Sequence, residues 1–152
     1  MATADLSRTS DTDAVRLRDA WLSRLTGLVG AVQQWAEEFG WSTRRIEKRM
    51  QDSQIGEYHA PALLLQMETD QVLLDPIARM GSGVEGIVDL YLMPAYDDIA
   101  SLTYCDGDWR IQYTLSGAST GEHALSVEPR TLSKDTLQQV LATMRKHAGS
   151  TV

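Results

Sequence analysis

Carboxylates are the side chains of this chain whose spacing could most readily support chemistry. Five of them fall on or beside predicted strands: Asp75, Glu85, Asp89, Asp97 and Asp98. Carboxylates on neighbouring strands can hold Mg²⁺ and activate a water molecule, as in divalent-metal nucleases, which often place a lysine beside them. No lysine lies between Lys48 and Lys134. A metal-dependent hydrolase that uses Asp75, Asp89 and Asp97 or Asp98 is therefore the alternative hypothesis rather than the preferred one.

Histidine and cysteine do not occur at the spacing of metal ligands. The three histidines are scattered, at His59, His123 and His147, and give no zinc-binding pattern. The single cysteine, Cys105, has two aspartates close by in sequence, and neighbouring negative charge disfavours a reactive thiolate. We therefore predict no metal site, no cofactor and no catalytic residue, with His147 acting as a cation near the end of the last helix.

A glycine motif spans residues 81–86 and matches the pattern Gly-x-Gly-x-x-Gly. In dinucleotide-binding proteins this pattern follows a parallel strand and opens a helix. Residues 87–93 are instead typical of a strand, because apolar side chains alternate there with Asp89 and Tyr91. The motif is thus predicted to be a flexible loop that binds no nucleotide.

Tyrosines and aspartates between residues 91 and 98 form the best candidate for a binding surface. Tyrosine suits a protein interface, because its ring supplies contact area and its hydroxyl supplies direction. The predicted binding residues are Tyr58, Tyr91, Tyr96, Asp97 and Asp98. The simpler alternative is a structural connection with its tyrosines half-buried at the rim of the core. A second candidate is the basic run Arg44, Arg45, Lys48 and Arg49, which could dock an acidic partner or nucleic acid, or could be a solvated edge.

The composition predicts one globular domain, over residues 11–149, after a disordered tail at 1–10. The chain has 152 residues, a net charge of −7 and a pI of about 4.8. The charge argues against nucleic acid as a partner, since an acidic chain repels phosphate. One cysteine allows no internal disulfide, the first residues contain no apolar signal-like stretch, and no apolar run approaches membrane-spanning length. We expect a soluble cytoplasmic protein with no membrane contact.

A long amphipathic helix is predicted to follow the tail, capped by Ser10 or Asp13. Its apolar residues recur every three or four positions: Leu17, Trp21, Leu25, Leu28, Val32, Trp35 and Phe39. Gly40 is placed to end the helix in a left-handed conformation, with Trp41 packing back on the last turn. A helix laid on a sheet is favoured over a coiled coil, because the repeat lasts only about three heptads.

Alternating apolar and polar residues then predict an antiparallel sheet between residues 60 and 115. The predicted strands are 60–68, 71–78, 85–93, 99–105, 109–115 and a short one at 123–128. Asp106-Gly107 predicts a type I′ hairpin turn. Residues 42–50 could form a helix or a strand, and their charges favour an edge strand. A final helix is predicted from Ser133, with Leu137, Val140, Leu141 and Met144 as its buried stripe.

The predicted fold class is therefore α+β: an antiparallel meander of about six strands with one long N-terminal and one C-terminal amphipathic helix packed on it. Two helices can cover one face of such a sheet, so the other face must be solvated or meet another subunit. The preferred function is a small non-enzymatic binding or adaptor module, homodimeric through its sheet or its tryptophan-bearing helix. Its partner is then another protein or a second copy of itself.

Overall fold

A long helix, a seven-stranded antiparallel sheet and a second helix make up the fold. The computed structural model describes residues 2–94, 98–114 and 128–150, with side chains described from 12 to 113 and from 128 to 148 within those ranges. In chain order the elements are α1 (Ala2–Glu38), β1 (Ser42–Asp52), β2 (Gly56–Met67), β3 (Asp70–Ala78), β4 (Ile87–Met93), β5 (Ile99–Cys105), β6 (Asp108–Thr114), β7 (Arg130–Thr131) and α2 (Lys134–Ser150).

The sheet is a meander in which each strand pairs with its neighbour in sequence, from β1 at one edge to β7 at the other. All six pairings are antiparallel. The predicted α+β class is thereby confirmed, with seven strands where about six were expected. The two-residue β7, which was not predicted, pairs with β6. Residues 123–127 of the predicted short strand lie outside the described ranges.

Helix α1 begins earlier than predicted and ends where predicted. It starts at Ala2, so the structure places helix over residues 2–10, which the sequence predicted to be a disordered tail. No glycine or proline occurs before Gly27, so nothing in this stretch breaks a helix. At the other end Gly40 has φ +97°, and the amides of Gly40 and Trp41 donate to the carbonyls of Glu37 and Ala36. This is a Schellman motif, which satisfies the last carbonyls of the helix.

Two further predictions about the sheet, the edge strand and the hairpin turn, are also confirmed. Residues 42–50 belong to β1, which lies at the edge of the sheet and pairs only with β2. The hairpin of β5 and β6 turns at Asp106-Gly107, whose φ angles are +54° and +84°, as a type I′ turn requires. Register at this hairpin is fixed by the turn, with Cys105 opposite Asp108.

Helix α2 begins with a reciprocal cap. The Ser133 hydroxyl accepts from the amide of Thr136 at 3.2 Å, and the Thr136 hydroxyl accepts from the amide of Ser133 at 2.8 Å. Both bonds satisfy donors that the first turn of a helix leaves without partners. The predicted capping role of Ser133 is thereby confirmed.

The core lies between the two helices and one face of the sheet. The buried stripes are Trp21, Leu25, Leu28 and Val32 from α1, and Leu137, Val140, Leu141 and Met144 from α2. The α2 stripe is as predicted, but Leu17 of the predicted α1 stripe is 38% exposed, and Trp35 and Phe39 are only partly buried. The sheet contributes every second residue of its central strands: Leu63, Leu65, Val72, Leu74, Val88, Leu90, Ala100 and Leu102. Because side chains alternate across a strand, the intervening residues point to the opposite face. Among the described residues, no helix is long and apolar enough to cross a membrane.

The glycine motif packs against α1. Strand β4 follows it, as the sequence predicted, and a Cβ built on Gly86 would lie 2.6 Å from the Trp21 ring. Gly86 also accepts a backbone hydrogen bond from Tyr104 at 3.0 Å. The absence of a side chain at Gly86 therefore lets the indole reach the sheet, which gives this glycine a packing role.

Candidate protein interface on the uncovered sheet face

The face of the sheet turned away from the two helices carries a continuous apolar row. Register aligns Leu64 with Leu73, Leu73 with Tyr91, and Tyr91 with Ile99. All four side chains are partly exposed. The residues buried in the core beside them along the strands are Leu63, Leu65, Val72, Leu74, Leu90 and Ala100. We call this surface the open face. A row of partly exposed apolar side chains crossing four strands is typical of a surface that another protein covers.

A polar row runs beside the apolar one. Asp75 is opposite Asp89, and Asp89 is opposite Ser101. Lys48 donates from Nζ to Asp75 Oδ1 at 2.7 Å and to the carbonyl of Pro76 at 2.8 Å. This lysine therefore offsets the repulsion that two facing carboxylates would otherwise cause.

Tyr91 joins the two rows. Its hydroxyl donates to Asp75 Oδ2 at 3.3 Å. Burial raises the pKa of Tyr91, and the nearby Asp75 and Asp89 carboxylates raise it further. The phenol is thus held protonated at neutral pH as a hydrogen-bond donor, while its ring lies in the apolar row.

Charges on the open face nearly balance. Among the described residues, alternation along the paired strands places three cations there, Arg44, Lys48 and Arg110, and four carboxylates, Asp52, Asp75, Asp89 and Asp108. Most of the net charge of −7 therefore resides on the rest of the chain. A near-neutral face offers little electrostatic resistance to contact with another copy of an otherwise acidic protein.

The predicted binding residues do not share one surface. Of those that the structure describes, only Tyr91 lies on the open face. Tyr58 is buried, and its hydroxyl accepts from Trp21 Nε1 at 2.9 Å. Asp98 is buried too, on the helix-covered side, where its carboxylate lies 2.9 Å from Nδ1 of His147. Tyr96 and Asp97 lie outside the described residues.

The same geometry separates the carboxylates of the hydrolase hypothesis. Asp75 and Asp89 project from the open face, whereas Asp98 contacts α2 on the opposite side of the sheet. Within the described part of the chain, no group of three histidine, cysteine, aspartate or glutamate side chains could hold a metal ion. His147, predicted as a cation at the helix end, has a specific partner that only the tertiary structure could supply.

The basic run on β1 is largely used within the molecule. Arg45 donates to Gln33 at 2.8 Å, Lys48 pairs with Asp75, and Arg49 pairs with Glu57 at 2.8 Å. These contacts tie β1 to α1 and to the neighbouring strands. The result favours the solvated edge over a patch formed for nucleic acid.

Sequence analysis missed a groove between α1 and the β5–β6 hairpin. Its volume is about 530 Å³, and its aromatic wall is formed by Trp35, Tyr104 and Trp109. Arg24 lies 4.0 Å above the Tyr104 ring and donates to the carbonyl of Glu85 at 2.9 Å. The residue in the sequence that pointed to this groove was Gly27, because a Cβ atom at that position would meet nothing within 4 Å. This glycine marks open space along the helix rather than close packing.

Comparison with known proteins adds no functional assignment. No protein-family model, no curated protein and no solved structure matches the chain. Function is therefore inferred from the geometry and charge of the described residues.

Proposed function

We propose that this protein is a non-catalytic protein-interaction module that pairs with a second copy of itself through the open face. The observation that carries the proposal is the partly exposed apolar row of Leu64, Leu73, Tyr91 and Ile99. Antiparallel sheets with one covered face normally present polar side chains on the other face. An apolar row on that second face is better explained by a partner than by solvent.

The size of the open face supports a second copy as the partner. Six strands spaced by about 4.8 Å and roughly 23 Å long give a face of about 650 Å². A standard interface buries about 800 Å² on each partner. Face-to-face contact with a modest contribution from the rim would therefore reach the size of a stable interface.

The charge of the open face also supports self-association. A partner face with the same three cations and four carboxylates can place opposite charges near one another, whereas the chain as a whole has a net charge of −7. The Lys48–Asp75 pair and the Tyr91 hydroxyl would supply polar contacts beside an apolar centre, the usual arrangement at protein interfaces.

Size-exclusion chromatography with light scattering tests the proposal, on the wild type and on Leu73→Lys. Leu73 lies between Leu64 and Tyr91 in the row, so a lysine there would put an uncompensated charge at the centre of the interface. We expect the wild type to elute as a dimer and Leu73→Lys as a folded monomer, with circular dichroism reporting the fold.

The matched control is Leu17→Lys. Leu17 is 38% exposed on α1, so the same change of chemistry is made away from the sheet, and this variant should stay dimeric. Loss of the dimer in Leu17→Lys alone would place the interface on the helix. A wild type that remains monomeric at high concentration would overturn the proposal.

A further inference from the structure

The groove between α1 and the β5–β6 hairpin has an aromatic wall that the core uses only in part. Tyr104 and Trp109 lie opposite each other in the hairpin, and their rings meet edge to face with centroids 5.3 Å apart. Both rings are partly buried, as is that of Trp35 on the helix. We call the space that these three rings line the aromatic groove. Because strand pairing and ring contact already hold Tyr104 and Trp109, this part of the wall is formed before a ligand enters.

Helix α1 leaves room opposite the wall. Ala20, Ser23, Gly27 and Ala31 line the aromatic groove with short side chains or, at Gly27, with none. The volume of about 530 Å³ falls within the range of roughly 300–1,000 Å³ that is typical of small-molecule sites. The groove is therefore large enough for a ligand with one or two fused rings.

Arg24 supplies a positive charge at the wall. Its guanidinium lies 4.0 Å from the centroid of the Tyr104 ring, and its Nη1 donates to the carbonyl of Glu85 at 2.9 Å. These contacts orient the guanidinium, but neither partner carries a negative charge at the contacting atoms. Among the described residues, no carboxylate forms an ion pair with Arg24. Its other N–H groups can therefore donate to an anion.

A second groove shows what distinguishes Arg24. That groove also combines an aromatic lining, from Phe39 and Trp41, with an arginine, Arg145. Arg145, however, lies 2.9 Å from Asp70 and 3.4 Å from Glu68, so its charge is offset within the molecule. Among these two arginines, Arg24 is the one whose charge a ligand can still neutralise.

We propose that the aromatic groove binds a small planar aromatic carboxylate. The ligand ring lies between the aromatic wall and the short side chains of α1, and its carboxylate accepts hydrogen bonds from Arg24. Asp108, which also lines the groove, belongs to the open face by alternation along β6. The net charge of −7 opposes anion binding weakly, because salt screens charges beyond about 8 Å while the contact with Arg24 is direct.

Three probes test the proposal by isothermal titration calorimetry: naphthoate, the uncharged naphthalenemethanol, and cyclohexanecarboxylate, which keeps the charge but has no aromatic ring. We expect naphthoate to bind about tenfold more tightly than either of the others. Equal binding by naphthalenemethanol would show that charge is not used, and equal binding by cyclohexanecarboxylate would show that the rings are not used; either result, or no binding of naphthoate at millimolar concentration, would overturn the proposal. A peptide ending in phenylalanine that binds more tightly than naphthoate would identify a protein terminus as the ligand and overturn the small-molecule assignment.

Tryptophan side-chain signals locate the probe. In nitrogen–proton correlation spectra, naphthoate should shift the indole N–H signals of Trp35 and Trp109, which line the aromatic groove, and leave that of Trp41 in place. A shift confined to Trp41 would place the ligand in the second groove and overturn the assignment.

A charge variant tests the role of Arg24. Arg24→Gln should weaken naphthoate binding about tenfold, between the effects expected for an exposed ion pair and for a buried charged hydrogen bond. The control is Arg18→Gln, which makes the same charge change on the same helix, where Arg18 pairs with Asp19. This control should bind naphthoate as the wild type does. Equal weakening by both variants would reduce the effect to general charge and overturn the role of Arg24.

A blocking variant tests the groove itself. Gly27→Leu fills the aromatic groove from α1 and should abolish naphthoate binding, whereas Thr26→Leu adds a leucine at an exposed neighbouring position outside this groove and should not. Circular dichroism reports whether both variants are folded. Wild-type affinity in folded Gly27→Leu would overturn the site.

The open-face variant separates this site from the proposed dimer. Leu73→Lys changes the face of the sheet turned away from the helices, so it should bind naphthoate as the wild type does. Loss of naphthoate binding in folded Leu73→Lys would overturn the placement of the site within a single chain.

Discussion

Two tyrosines of equal burial, Tyr58 and Tyr113, test the hydrogen bonding of the core by the same substitution. They are 6% and 7% exposed. The Tyr58 hydroxyl accepts from Trp21 Nε1 at 2.9 Å. The Tyr113 hydroxyl has no hydrogen-bond partner within the described part of the chain. Replacing either tyrosine with phenylalanine removes one oxygen and leaves the ring, so the two variants differ only in what that oxygen was bonded to.

The expected effects have opposite signs. Tyr58→Phe loses a bond with a net contribution of about 1 kcal/mol and leaves the indole N–H of the fully buried Trp21 without a partner, so we expect a loss of about 1–3 kcal/mol. Tyr113→Phe removes a buried hydroxyl whose desolvation no described residue offsets. We expect it to be neutral or to raise the free energy of unfolding by up to about 1 kcal/mol.

Urea denaturation followed by circular dichroism measures both differences, provided that the m-values of the variants match that of the wild type. The double variant Trp21→Phe with Tyr58→Phe provides a check, because removing both partners should cost less than the sum of the two single changes. If Tyr113→Phe is as destabilising as Tyr58→Phe, the Tyr113 hydroxyl has a partner in solution and the reasoning is refuted.

Three further predictions concern single residues. Gly27→Ala should raise the free energy of unfolding by about 1 kcal/mol in chemical denaturation. The new methyl group would meet nothing within 4 Å, and glycine in the interior of a helix destabilises it relative to alanine. A destabilised variant would show that the space beside Gly27 is not open. Gly86→Ala should lower the free energy of unfolding by about 1–3 kcal/mol, since the alanine Cβ would lie 2.6 Å from the Trp21 ring. A variant as stable as the wild type would show that the indole can move. Burial would raise the pKa of Asp52, but hydrogen bonds from the Gln54 amide and from Arg79 outweigh it and lower the pKa below 3.8. The ionised carboxylate therefore stabilises the fold above about pH 4, and this contribution is lost as pH falls through the folded-state pKa. The melting temperature of Asp52→Asn should fall less on acidification than that of the wild type. The same dependence of melting temperature on pH in both proteins would exclude this role.

Local signals in the sequence predicted most of the elements and their order, but not the helix over residues 2–10 or strand β7. Gly40 and Trp41 ended α1 as predicted, and Asp106-Gly107 formed the predicted hairpin turn. Alternation identified the core face of the central strands, and the charges of β1 identified it as an edge. These predictions succeeded because each depends on the conformational preference of a few adjacent residues or on a periodicity that one strand or helix carries by itself.

The tertiary structure alone decided which distant residues meet. Asp98 and Asp75 belong to the same stretch of carboxylates in sequence, yet one contacts α2 and the other projects from the open face. The face on which a side chain lies depends on strand register across each turn, and a shift of one residue reverses it. Tyr58 was a surface candidate in the sequence but packs beneath Trp21, because the approach of a hairpin to a helix is set by the packing of the whole core. The sequence therefore determined the elements, and the packing of those elements determined which surfaces remain for a partner.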